Sequence, residues 1–201
     1  FSKTALILIF HFLNDEQYLN ETYRQIALDY DVALGNINNV ISNLKKTGYV
    51  IRTENNTLQL IKKKQLLDEW ITGYETKLKP TLAMGGFKLL SGNYKEWERL
   101  PIKNTESQWG AEPAGNLLTG YLKPAKLTLY TTESKLNLIK KYRLVPDEAG
   151  NLLLYKKFWA FKTTGDTVPV ILVYADLINS EDPRNIETAK RLYDERLTGK
   201  L

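Results

Sequence analysis

The amino-acid sequence predicts an α+β protein in two parts: an N-terminal group of helices closed by a hairpin, followed by a longer stretch of mixed helices and strands. Three observations carry this reading. The apolar spacing is helical as far as Gly48 and alternating immediately after it. Beyond Trp109, helix-like and strand-like segments follow one another irregularly, unlike a doubly wound sheet. Finally, 201 residues with 43% hydrophobic and 25% charged side chains form an ordinary globular composition, which excludes wholesale disorder and fibrous repeats.

The first helix is expected over residues 3–13, with Leu6, Ile9, Phe10 and Leu13 at helical spacing. The second is expected over residues 20–30. Asn20 suits its N-cap, Glu21 suits the positive end of the dipole, and Tyr23, Ile26 and Ala27 form its apolar stripe. The third is expected to start near Leu34 and stop at Gly48, a residue able to take the left-handed C′ conformation after Lys45 and Lys46. Ile37, Val40, Ile41 and Leu44 give its buried face. Ala33 stands where Ser or Thr often caps such a helix, with Asp31 as the alternative cap. Residues 49–51 and 57–61 then read as two strands joined at Asn55-Asn56. Three helices, a tight turn and a hairpin are the plan of a winged helix-turn-helix over residues 1–64.

Residues 65–80 read as a linking helix carrying Leu66, Leu67, Trp70, Ile71 and Tyr74. Pro80 and Gly85-Gly86 then break the chain before a strand at 87–90, and residues 81–201 form the mixed α+β domain. Its expected elements are a helix at 111–121, a strand at 126–132, a helix at 133–140, strands at 152–155 and 168–174, and a helix at 183–197 started by Asp182-Pro183.

Charge is distributed unevenly. The net +5 of the whole chain hides a net −3 over residues 1–31 and a net +5 over residues 32–64, where Lys45, Lys46, Arg52, Lys62, Lys63 and Lys64 face only Glu54. Subtracting the core face of the third helix leaves Asn36, Asn38, Asn39, Ser42, Asn43 and Lys46. Asn can pair bidentately with adenine in the major groove, and Lys45, Lys46, Arg52 and Lys62 can hold phosphate. Separately, such faces are usually solvated surface; together, in these places, they point to double-stranded DNA.

Enzymatic chemistry is poorly represented. Without Cys there is no disulfide, thiolate metal site or thiol nucleophile. The single histidine, His11, lies within an apolar run and is expected to be structural. Glycines 110, 115 and 120 fall in a helical stretch without a phosphate-loop pattern. Asp176, Asp182, Arg184 and Glu187 read as a charge network or helix cap. No cofactor or metal is expected. The apolar run at 5–13 is too short to span a bilayer, so no membrane association and a cytoplasmic location are expected. One competing reading is a Mg²⁺-dependent nuclease using Glu112, Glu133 and Lys135; another is a transcription factor with a ligand-sensing domain, favoured by a ligand-sized apolar pocket.

Several longer strings are informative together: Trp109-Gly110-Ala111-Glu112-Pro113-Ala114, Leu117-Leu118-Thr119-Gly120-Tyr121-Leu122, Leu127-Thr128-Leu129-Tyr130, and Val173-Tyr174-Ala175-Asp176-Leu177 followed by Asp182-Pro183-Arg184-Asn185 and Glu187-Thr188-Ala189. With Trp70, Tyr74, Leu78, Pro80 and Phe158-Trp159, the chain resembles the AbiEi family of type IV toxin-antitoxin antitoxins. The resemblance implies a bacterial repressor that binds inverted repeats in its own promoter through the winged helix. It also implies a C-terminal antitoxin domain that counters a nucleotidyltransferase-like toxin without forming a tight complex. It brings no catalytic or metal-binding residues with it.

Overall fold

A computed structural model describes residues 1–90, 94–102 and 105–201. The chain divides into two compact units, one of Phe1–Leu78 with Phe158–Ala160 and Leu201, the other of Lys79–Lys157 with Phe161–Lys200. The mixed α+β class is as the sequence implies.

In the first unit, α1 (Lys3–Asn14) is buried along nearly its whole circumference, and the Ser2 hydroxyl accepts from the Ala5 N–H at its start. A helix this apolar can exist only with other elements wrapped around it. The chain then makes a 3₁₀ turn over Glu16–Asn20 before α2 (Tyr23–Tyr30). Thr22, not Asn20, caps α2, accepting from the Gln25 N–H; Asn20 is drawn away by a stronger pair of bonds to the hairpin. Asp31 is likewise not the cap of the next helix. It closes α2 in the left-handed conformation at φ 49°, and α3 (Leu34–Lys46) starts at Ala33 without a side-chain cap.

α3 ends as its sequence implies. Gly48 takes φ 74°, the Tyr49 N–H donates to Leu44 and the Gly48 N–H to Lys45, which satisfies the last carbonyls of the helix. Strands β1 (Val50–Arg52) and β2 (Leu58–Leu60) pair antiparallel in the register Val50↔Leu60, and Asn56 supplies the positive φ of the connecting turn. α4 (Lys63–Gly73) continues through a π turn at Tyr74–Leu78. Its Trp70 stacks on Phe10 at 5.2 Å and on Tyr74 at 5.0 Å, and Phe158 closes on Phe10 at 4.9 Å.

His11 lies in this unit, 4% exposed, with its ring 3.9 Å from that of Tyr18. Burial lowers its pKa to about 4, outweighing the opposite pull of Asp15 and Asp29. Because the folded state holds fewer protons than the unfolded one, stability is complete above pH 6.5 and declines as pH falls toward 4. Urea unfolding should show a loss of about 2 kcal/mol between pH 7 and pH 5. His11→Leu should remove that slope, and a slope unchanged in the variant would place its origin elsewhere.

The second unit opens with α5 (Lys79–Leu82), where Pro80 is tolerated in the first turn. It is built on a five-stranded sheet in the order β4-β5-β7-β3-β6, comprising β3 (Ala83–Leu89), β4 (Ser107–Gly110), β5 (Leu127–Thr131), β6 (Leu144–Pro146) and β7 (Leu152–Lys156). Among the paired strands of the described residues, β5 and β7 run parallel and the other three pairs are antiparallel. Helices α6 (Ala111–Thr119), α8 (Val170–Ile178) and α9 (Pro183–Leu192) pack on one another, α6 also lies against β4 and β5, and α7 (Lys135–Tyr142) lies beside β6.

Three expectations are corrected here. Residues 168–174 are not a strand: Pro169 precedes α8, whose run from Ile171 to Leu177 is wholly buried, and an all-apolar stretch has no period to distinguish helix from strand. Gly85-Gly86 do not interrupt the chain but lie within β3, with Gly85 at a register shift and φ 121°. Gly110 closes β4 and does not belong to the helix after it. A Cβ at Gly110 would come 2.5 Å from the Tyr130 ring, so packing requires the glycine there. The glycine at 120, by contrast, closes α6 at φ 67°.

Candidate nucleic-acid interface

The N-terminal surface is built on α3. Ile37, Val40, Ile41 and Leu44 are buried, which fixes the rotation of the helix about its axis. At about 100° per residue, Asn39, Ser42 and Lys46 then lie opposite the core, with Asn36 and Asn43 on one flank and Asn38 and Lys45 on the other. Lys45 is half-buried and the other six are exposed. Asn36, Asn39 and Asn43 also line a groove of about 400 Å³ shared with Ser2 and Thr4 at the start of α1. The sequence contains no signal for that groove, because its two walls are more than thirty residues apart.

The hairpin is held in place by groups that sequence reasoning assigned elsewhere. Asn20 acts as a short piece of strand along the outer edge of β2: its amide donates to the Leu58 carbonyl at 2.9 Å and its oxygen accepts from the Leu58 N–H at 2.7 Å. Glu16 accepts from the Leu60 N–H at 2.8 Å and pairs with Lys63 at 2.6 Å. Lys64 pairs with Asp68. The three-lysine run is therefore not a block of cations: Lys63 and Lys64 are tied to acids, while Lys62 is exposed at the left-handed junction into α4. Arg52, exposed on β1, donates to Asn56 across the turn. The Tyr49 hydroxyl donates to Glu69 at 2.5 Å; burial and that carboxylate push its pKa up to about 12.

Of the three groups of the nuclease reading, Glu133 and Lys135 border one cleft, and Glu112 is not among its lining residues. Glu112 is buried and accepts from the N–H groups of Ala125 and Lys126 and from Asn185, holding a loop. Glu133 instead accepts from Ser107 at 3.0 Å and from Lys141 at 3.1 Å. Among the described residues no cluster of three His, Asp or Glu could hold a metal ion. Asp176, Asp182, Arg184 and Glu187 separate into structural roles: Asp176 faces Lys79 and Tyr130, Asp182 caps α9 and pairs with Arg184, and Glu187 pairs with Arg191. No helix among the described residues is long and apolar enough to cross a membrane.

Residues 59–198 match the model of a family described as a transcriptional regulator, the AbiEi antitoxin of type IV toxin-antitoxin systems. No curated protein and no solved structure matches the chain. The matched stretch begins inside the hairpin and covers the whole mixed sheet with its helices, so α1 to α3 lie outside it. The family's description names regulation and antitoxicity and no enzymatic activity. With well over half of its length matched, the chain belongs to the AbiEi family of type IV toxin-antitoxin transcriptional regulators.

Proposed function

We propose that this protein is a sequence-specific DNA-binding repressor and antitoxin. In this reading residues 1–64 form a winged helix-turn-helix that docks on inverted repeats in the promoter of its own operon, residues 65–80 link it onward, and residues 81–201 form the antitoxin domain. That domain counters a nucleotidyltransferase-like toxin in the cytoplasm without forming a tight complex. The observation that carries the DNA-binding part is α3 itself: a core face fully buried, an opposite face of amides and a hydroxyl, and cations at its end and on the adjoining hairpin.

The residues divide by task. Asn36, Asn38, Asn39, Ser42 and Asn43 present short donors and acceptors suited to base edges, and Lys45, Lys46, Arg52 and Lys62 suit phosphate. Fluorescence anisotropy on DNA from the upstream region tests this division. Asn39→Ala should relax base preference by about 1–3 kcal/mol, whereas Lys46→Ala should weaken binding to every sequence and lower the salt slope by about one. Unchanged affinity and slope in Lys46→Ala would mean that α3 does not face DNA. The antitoxin part is tested by co-expression with a nucleotidyltransferase-like reading frame from the same operon: growth should be restored by the full chain.

A further inference from the structure

The second unit has a cleft that the reading above does not use. It opens at the carboxyl ends of the parallel strands β5 and β7, where Thr131 and Lys156 are register partners, and the start of β3 forms its far wall. Ligands of open sheets gather at this edge, because the chain leaves parallel strands there and loops and helix starts surround the space. The cleft holds about 680 Å³, within the range of small-molecule sites.

Its lining is basic. Lys135, Lys156 and Lys157 border it, and Glu133 is the acid among the lining residues. That carboxylate is already balanced, since both its oxygens lie 3.1 Å from the ammonium of Lys141. Lys135 is brought in by two features of β3. Its ammonium sits 5.2 Å from the centre of the buried Phe87 ring, and 3.4 Å from where a Cβ of Gly85 would stand. A side chain at Gly85 would crowd the ammonium. Burial lowers the pKa of Lys157, a cost to its charge that an arriving anion would offset. Ala83 and Met84 add an apolar wall, and Ser134 and Thr132 add hydroxyls. An apolar effector would leave these cations desolvated, and a divalent cation would be repelled by them.

We propose that this cleft binds a phosphorylated small molecule of nucleotide size, with Lys135, Lys156 and Lys157 holding its phosphate groups and Ala83 and Met84 contacting its body. Lysine is suited to phosphate as a mobile point charge, and three of them favour a ligand with more than one phosphate.

The test titrates the full chain with ATP, inorganic triphosphate and adenosine in a calorimeter. It then repeats the ATP titration on the Lys135→Gln/Lys156→Gln variant. ATP and triphosphate should bind saturably at one per chain and adenosine should not. The variant should lose about tenfold or more in ATP affinity, as expected for removing charge-assisted contacts. Acetylation of the unmodified chain, read by mass spectrometry, gives an answer independent of the variant's folding: ATP should protect Lys135, Lys156 and Lys157 and leave Lys45, Lys46 and Lys62 reactive. Absence of saturable binding overturns the proposal, as does protection at Lys45, Lys46 and Lys62 instead. Protection of the cleft by a short single-stranded oligonucleotide, but not by ATP or triphosphate, also overturns it and assigns the cleft to a nucleic-acid strand.

Discussion

Trp70→Ala is expected to destabilise the N-terminal unit by about 3–5 kcal/mol, the cost of removing a large aromatic from a closed core. Trp70 is fully buried, stacked on Phe10 with its ring inclined by 24° and on Tyr74 with an inclination of 14°. Its indole N–H donates at 2.8 Å to the carbonyl of Leu6 on α1, so one side chain joins α1 to α4 by both packing and a hydrogen bond. Trp70→Phe separates the two contributions: it keeps a stacked ring and should lose only about 1–2 kcal/mol more than the missing ring volume would cost. Urea unfolding measures both. A loss under about 1 kcal/mol in Trp70→Ala would show that the unit closes through other contacts.

Asp176→Ala should cost the second unit a similar amount, about 3–5 kcal/mol, for an electrostatic reason. The Asp176 side chain is 1% exposed; it faces the Lys79 ammonium at 3.1 Å and accepts from the Tyr130 hydroxyl at 2.8 Å. Removing the carboxylate takes one counter-charge from a largely buried ammonium and one acceptor from a buried phenol. Replacing both ions with apolar groups, as Lys79→Met/Asp176→Leu, should recover most of the loss, because the pair repays its own desolvation and little more. If the double variant is as unstable as Asp176→Ala, shape rather than charge sets the cost.

What the sequence made legible follows from where physics leaves a period. α3 could be read almost to its last residue: four apolar side chains repeat on one face, and Gly48 marks the end. The outward residues then followed by subtraction. α8 could not be read, since Val170 to Leu177 carries apolar residues on every side and helix and strand predict the same pattern. β3 was masked by Gly85-Gly86, which usually signal a turn but here allow a bulge and the close approach of Lys135. The cap of α2 was misplaced by two residues because Asn20 and Thr22 are both good caps and only the fold shows which one the hairpin takes. β4 and the cleft beside β5 had no local signal, their partners being strands far along the chain.

The clasp of Asn20 and Glu16 on β2 has a bearing on self-association. A two-stranded hairpin ordinarily leaves both outer edges as templates for another strand, and pairing along them is an easy route to dimers and aggregates. Here the Leu58 N–H and carbonyl and the Leu60 N–H are already matched by side chains of the same molecule. Another strand pairing along β2 would therefore have to displace these side chains first, and Asn20→Ala would uncover the Leu58 N–H and carbonyl at that edge.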